Sequence, residues 1–129
     1  MSKAASLWYI MFFLFIVAGG LIAPGCKEVF ERTLDKDTVV LAAPGNNVSS
    51  MSASQTFFWE PVDSGVNYEL QIVSPRFDSI VRLAADTFIQ RNILTLTLDT
   101  AIYQWRVRAF NSSSTTPFST PWTFTINQP

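Results

Sequence analysis

The segment YQWRVRA, residues 103–109, decides the fold because apolar and polar side chains alternate along its whole length. Tyr103, Trp105 and Val107 fall on one face, and the Gln and Arg side chains between them fall on the other. A period of two residues is that of a β-strand, in which successive side chains point to opposite sides. The segment is therefore predicted to be a strand with one buried and one solvated face, as in an antiparallel sheet.

The same alternation recurs on both sides of this strand. Further strands are predicted at Val39–Leu41, Thr56–Glu60, Asn67–Val73, Ile80–Leu83, Leu94–Leu98 and Trp122–Ile126, with Thr87–Gln90 as a candidate edge segment. Clusters of Gly, Pro, Asn and Asp between them are turn signals. About seven strands at this spacing, without a helical pattern, predict an all-β protein with a seven-stranded antiparallel β-sandwich.

The apolar faces of these strands supply the predicted core. Its members are Trp59, Tyr68, Leu70, Ile72, Leu94, Leu96, Leu98, Tyr103, Trp105, Val107, Trp122 and Phe124. The chain has four Trp, eleven Phe and one Cys. Because one Cys cannot form an intramolecular disulfide, aromatic packing must stabilise the domain.

Four segments resemble the strands of fibronectin type III domains, over about residues 39–126. Phe58-Trp59-Glu60-Pro61 is similar to the second-strand Trp motif of that family, and residues 68–71 are similar to its third strand. Residues 103–111 resemble the sixth strand, with Tyr103 in the position of the tyrosine corner, and residues 117–124 resemble the seventh. The resemblance implies an immunoglobulin-like sandwich.

A different pattern precedes the strands. Lys3 is followed by the unbroken apolar run Leu7–Ala18 and then by Gly25-Cys26. A positive residue, an apolar stretch and a small residue before a cut site form the layout of a secretory signal. The end of this segment resembles the lipobox of bacterial lipoproteins, which implies cleavage after Gly25 and lipidation of Cys26. The alternative is an uncleaved membrane helix, since residues 7–25 are roughly long enough to span a bilayer.

The predicted domain organisation has three parts. Residues 1–25 form the lipoprotein signal peptide, and residues 26–37, which are rich in charge, form a tether. Residues 38–129 form the fibronectin type III-like sandwich. The resemblance to lipoproteins implies an exported protein that is anchored by lipid in the outer membrane of the cell envelope. Both the periplasmic side and the cell-surface side of that membrane remain alternatives.

The composition argues against catalysis and against nucleic-acid binding. There is no His, so the commonest general base and metal ligand is missing. A formal net charge of −1 gives no basic field for nucleic acid. The carboxylates that could pair for glycoside hydrolysis lie on separate strands and loops; they are Glu60, Asp63, Glu69, Asp78, Asp86 and Asp99. We therefore predict a protein that is not an enzyme and has no cofactor or metal site.

Outward aromatic side chains are candidates for a binding surface. Alternation places Phe58 and Phe110 on the face opposite the core, and Phe77, Phe88 and Phe118 in loops or at edges. Aromatic rings can anchor a protein interface or stack on sugar rings. Their alternative role is to cover the ends of the sandwich.

Two arginines project from the strand at residues 103–109. The resemblance to fibronectin type III domains implies that this strand neighbours the strand at residues 67–73, so Arg106 and Arg108 are expected to lie beside Glu69 and Gln71. Two interpretations are open, a ladder of charges within the sheet or a polar face that docks a partner. The candidate partner-binding residues are therefore Phe58, Phe77, Phe110, Arg106 and Arg108.

The predicted function follows from the anchor and the outward side chains. We expect a non-catalytic protein-interaction or structural module, such as an accessory subunit of an outer-membrane assembly. The predicted partners are the membrane, through the lipid anchor, and an envelope protein. The alternative is a small glycan-binding surface lipoprotein.

Overall fold

Alternating apolar residues form strands throughout the part of the chain that the computed structural model describes, residues 32–128. The strands are β1 (Leu41–Ala43), β2 (Val48–Ser50), β3 (Ser54–Trp59), β4 (Asn67–Arg76), β5 (Ser79–Ile89), β6 (Ile93–Thr97), β7 (Ala101–Phe110) and β8 (Trp122–Ile126). Within this part of the chain no helix is long and apolar enough to cross a membrane. The predicted signal helix and Cys26 lie outside the described residues.

The eight strands form two sheets. One has three strands in the order β1-β3-β6, and the other has five in the order β2-β8-β7-β4-β5. All neighbours are antiparallel except β2 and β8, which are parallel. The prediction of seven antiparallel strands is therefore corrected to eight with one parallel pair. The additional strand, β2, has only three residues, too few for a periodic signal.

Strand β5 also differs from its prediction, because one strand of 11 residues replaces two predicted segments. Its register against β4 shifts twice, so that Ala84 and Val81 have no partner of their own. Such bulges insert an extra residue and reverse the faces that later residues occupy. The alternation that predicts a strand is thereby broken in the middle of β5.

Aromatic rings fill the space between the two sheets. Phe57 of β3 lies edge-to-face against Trp105 and Phe124, with ring centroids 5.1 and 5.7 Å apart. Tyr103 stacks on Phe124 at 5.2 Å. These are the favoured geometries of aromatic pairs, and each pair contributes on the order of 1 kcal/mol beyond burial.

Most of the predicted core is confirmed. Eight predicted residues are at most 2% exposed: Trp59, Tyr68, Leu70, Ile72, Tyr103, Trp105, Val107 and Phe124. The four others are only partly buried and pack around the core: Leu94, Leu96, Leu98 and Trp122. The three leucines lie on β6 or directly after it. Because β6 is an edge strand, they have a neighbouring strand on one side only.

The hydroxyl of Tyr103 ties the start of β7 to the chain before it. It donates to the carbonyl of Asp99 at 2.8 Å and accepts from Nη2 of Arg82 at 2.9 Å. A tyrosine that bonds back to the backbone a few residues upstream is the tyrosine corner of immunoglobulin-like sandwiches. The position expected for Tyr103 from the resemblance is therefore confirmed.

The folded part includes residues from the segment predicted as a tether. Leu34 is fully buried in the core, and its N–H donates to Oγ of Ser114 at 2.9 Å. The carbonyl of Arg32 accepts from Nδ2 of Asn111 at 2.8 Å. The predicted boundary at residue 38 thus moves toward the N-terminus. Leu34 is surrounded by polar and charged residues from Glu31 to Thr38, so the local sequence gives no periodic signal from which its burial could be predicted.

Replacement of Leu34 tests its place in the core. Leu34→Ala should lower the free energy of unfolding by about 2–5 kcal/mol, because it removes a buried side chain and leaves a cavity. Urea denaturation of the full-length chain in mild detergent measures this. Lys36→Ala, at an exposed position, is the control and should change stability by less than about 0.5 kcal/mol. Equal effects of the two substitutions would contradict the assignment.

Candidate binding surface

The two outward arginines of β7 bind side chains of β4. Arg106 is in register with Gln71, and its Nε and Nη2 donate to Oε1 of that residue at 3.0 and 2.8 Å. Arg108 is in register with Glu69, and its Nε donates to Oε1 of Glu69 at 2.7 Å. The cross-strand ladder, one of the two interpretations open from the sequence, is therefore present in the sheet. Of its two acceptor side chains, Glu69 is buried.

Two phenylalanines cover these guanidinium groups. The Cζ atom of Arg106 lies 4.0 Å from the ring centroid of Phe77 and 4.2 Å from that of Phe118. The Cζ atom of Arg108 lies 4.5 Å from the ring of Phe118. Cation–π contacts of this kind contribute about 0.5–2 kcal/mol each. We call Phe77, Arg106, Phe118 and Arg108 the arginine–phenylalanine cluster.

Backbone hydrogen bonds place Phe118 in this cluster. In the loop between β7 and β8, Ser119 donates its N–H to the carbonyl of Val107 at 2.9 Å and accepts from the N–H of Val107 at 3.0 Å through Oγ. Thr116 forms the equivalent two bonds with Ala109, at 2.8 and 3.0 Å. The loop therefore lies against β7 like a short strand, and Phe118 projects over the outward arginines.

Phe77 reaches the cluster from the turn between β4 and β5. Its N–H donates to Oε1 of Gln104 on β7 at 2.9 Å. This bond folds the turn back over the sheet, so the ring of Phe77 lies on Arg106. The cluster thus closes the middle of the outer face of the five-stranded sheet.

Charge in this region is unevenly neutralised. Burial, followed by hydrogen bonding with Asp86, raises the pKa of Glu69 above its usual value, while Arg108 acts in the opposite direction. Burial, followed by the charge of Arg108, lowers the pKa of Arg106. Nε2 of Gln71 lies 3.3 Å from Oε2 of Glu69 and 3.5 Å from Oδ2 of Asp86. Among the described residues, Asp86 forms no ion pair.

Strand β5 forms the edge of the same sheet and carries a row of exposed apolar side chains. The exposed fractions are 54% for Ile80, 84% for Val81, 58% for Leu83 and 63% for Phe88. In residues 32–128 these are four of the ten large hydrophobic residues that are exposed. We call Ser79–Ile89, with its unpaired side, the β5 edge.

The candidate residues predicted from the sequence do not form one group. Phe77, Arg106 and Arg108 come together in the cluster. Phe110 lies apart from it, edge-to-face against Phe88 with centroids 6.0 Å apart. Phe58 belongs to the three-stranded sheet, where it is 40% exposed and pairs with Ile93. The last candidate, the lipidation site Cys26, lies outside the described residues.

Two open clefts lie away from the arginine–phenylalanine cluster. One, of about 370 Å³, is lined by the loops at residues 61–66 and 90–93, and the other, of about 450 Å³, by residues 51–53, 97–100 and 126–127. Across residues 32–128 there is no group of three or more acidic or Cys side chains that could hold a metal ion. The clefts therefore do not gather the side chains that would point to a specific chemistry.

Comparison with known proteins supports the fold and nothing finer. No protein-family model matches this chain, and no curated protein matches it. Among solved structures, the chain is similar to the fibronectin type III domain of human fibronectin type III domain containing protein 3, with a TM-score of 0.51 and 15% sequence identity. The match covers 77% of this chain and 93% of that domain. The fold is thus an immunoglobulin-like β-sandwich of the fibronectin type III kind.

A conservative substitution tests the arginine–phenylalanine cluster. Arg106→Lys should lower the free energy of unfolding by about 1–3 kcal/mol, because lysine cannot form the forked bond to Gln71 or stack as a plane between two rings. Urea denaturation measures the change. The matched control is Arg76→Lys. Arg76 forms only an exposed ion pair with Asp78, at 3.7 Å, so this substitution should have little effect on stability. A loss of equal size in both variants would contradict a special role for Arg106.

Proposed function

We propose that this protein is a lipid-anchored interaction module of the cell envelope that binds a partner protein through the β5 edge. The observation that carries the proposal is the row of exposed apolar side chains on one unpaired edge strand. Single exposed hydrophobic residues are ordinary, but an exposed, long and apolar edge strand favours pairing with another chain. A partner that covers Ile80, Val81 and Leu83 would remove this apolar surface from water.

The arrangement of the aromatic rings favours a protein partner over a glycan. Stacking on sugars needs free ring faces that lie close together. The rings of Phe77 and Phe118 are instead covered by guanidinium groups. Phe58 and Phe88 are exposed, but they lie in different sheets. Phe88 and Phe110 are neighbours, but their rings are nearly perpendicular, at 81°, and so do not form one flat surface. No sugar-binding platform is therefore assembled from the predicted aromatic candidates that the structure describes.

Metabolic labelling with an acyl-chain probe tests the anchor. The wild-type protein should incorporate the label, and Cys26→Ser should lose it completely, since Cys26 is the sole thiol of the chain. Lys27→Ala is the control and should remain labelled. Label that persists in the Cys26→Ser protein would contradict the assigned lipid site.

Co-purification from detergent-solubilised membranes tests the binding surface. The full-length protein should retain a partner in stoichiometric amount, and the double variant Val81→Thr/Leu83→Thr should retain at least tenfold less. Threonine preserves strand propensity while removing apolar contact area. The matched control is Phe58→Thr/Ile93→Thr on the other sheet, which should retain the partner.

Three results of this experiment would overturn the proposal. They are the absence of a stoichiometric partner, equal loss of the partner in both double variants, and full retention in the β5 variant. Saturable binding on a glycan array in the absence of a protein partner would favour the glycan alternative instead.

A further inference from the structure

We infer that the partner supplies an extended segment that adds to β5 as a sixth strand of the sheet and places a Lys or Arg opposite Asp86. This inference rests on the proposed function and specifies the partner's chemistry. It depends on the length of the β5 edge, on the register of β4 and β5, and on the exposed carboxylate of Asp86, which forms no ion pair among the described residues.

The β5 edge is the best template for an added strand. It has 11 residues, whereas the other outer strands, β1, β2 and β6, have three, three and five. On one side β5 pairs with β4, and on the other side no described strand pairs with it. An edge strand presents unpaired N–H and C=O groups that an extended peptide can bind. A longer edge offers more such bonds in register.

The register selects the part of β5 that an added strand would use. Residues 85–89 pair with residues 68–72 of β4 without interruption, whereas bulges at Ala84 and Val81 disturb the rest of the strand. Because bulges break the regular spacing of edge hydrogen bonds, the added strand should be centred on residues 85–89. The exposed apolar residues beyond it would contact the partner with their side chains.

Two side chains of this regular stretch face the outer surface. Asp86 and Phe88 are in register with Gln71 and Glu69, and directly opposed residues of a sheet share a face. An added strand would therefore place its own outward side chains beside Asp86 and Phe88. Directly opposed side chains lie about 5 Å apart, within the range of an ion pair.

Asp86 is the feature that selects a cation. The nearby carboxylate of Glu69 forms an ion pair with Arg108, with Nη2 and Oε1 2.6 Å apart. Asp86 lies 3.5 Å from Nε2 of Gln71 but forms no ion pair among the described residues. The other arginine of β5, Arg82, is bound to Asp99 and to the hydroxyl of Tyr103. A Lys or Arg opposite Asp86 would neutralise the carboxylate and lie within reach of the ring of Phe88.

A second copy of this chain does not satisfy the same requirement. Two β5 strands paired antiparallel about Thr87 would place Asp86 of one copy opposite Phe88 of the other. Pairing about Asp86 would place the two carboxylates opposite each other, which is unfavourable. Within residues 85–89 no Lys or Arg is present. Self-pairing within the regular stretch therefore leaves Asp86 without a cation, which favours a different chain as the partner.

Photocrosslinking in intact membranes tests this arrangement. With benzoylphenylalanine in place of Phe88, the full-length protein should give an adduct with another protein, and the same residue in place of Phe58 should not. The adducted peptide, identified by mass spectrometry, should contain a Lys or Arg within two residues of the crosslink. Asp86→Lys should reduce the adduct at least tenfold, while Asp78→Lys, in the exposed turn beside β5, should leave it unchanged.

A compensating charge reversal in the partner distinguishes a loss of binding from unfolding of the Asp86→Lys protein. Replacement of the partner's basic residue with Asp should restore the adduct of the Asp86→Lys protein to at least half its original amount. Restoration cannot occur if Asp86→Lys simply unfolds the domain.

Four outcomes would overturn the inference: no adduct from position 88, an adduct with a second copy of the chain, an adduct that Asp86→Lys leaves intact, or no restoration by the reversed partner charge. The inference can fail while the proposed function stands. Co-purification would then depend on Val81 and Leu83 but not on Asp86. Loss of the partner from every preparation would instead remove the proposed function itself.

Discussion

The stacking of Arg106 between Phe77 and Phe118 determines which part of the five-stranded sheet remains open. Arg106 must point outward because Trp105 and Val107, its neighbours in β7, occupy the core. Once outward, its guanidinium group binds Gln71 and lies between the rings of Phe77 and Phe118, which the β4–β5 turn and the β7–β8 loop bring over the sheet. The face that an isolated sheet would offer is thereby covered by the chain itself. What remains exposed and apolar on this sheet lies chiefly along its edge, on β5.

The packing of the core determines how β7, and with it Arg106, is oriented in the sheet. With one Cys in the chain, no intramolecular disulfide can join the two sheets. Phe57 of the three-stranded sheet packs instead against Trp105 and Phe124 of the five-stranded sheet, and the hydroxyl of Tyr103 closes the end of β7 on Asp99. These contacts fix which residues of β7 face the core, and thereby place its arginines on the opposite face.

The sequence predicts those features that depend on local alternation. Strand β7 and its buried residues follow from the period of two, and the pairing of Arg106 and Arg108 with β4 follows from the resemblance to fibronectin type III domains. Strand β5 is predicted only in pieces, because two bulges break its period. The meeting of Phe77 and Phe118 on Arg106 depends on hydrogen bonds between loops and β7, which leave no pattern in the sequence. The burial of Leu34 is likewise a purely tertiary effect.

Hydrogen exchange along β5 tests the central claim, that the unpaired edge of this strand is the binding site. In the purified full-length protein, the β5 amides that point away from β4 should exchange rapidly, because they lack a hydrogen-bond acceptor. In the complex isolated from membranes, the same amides within residues 85–89 should become strongly protected, while the amides of β6 should be unchanged. Protection that is the same in both states, or that appears on β6 instead, would contradict the account.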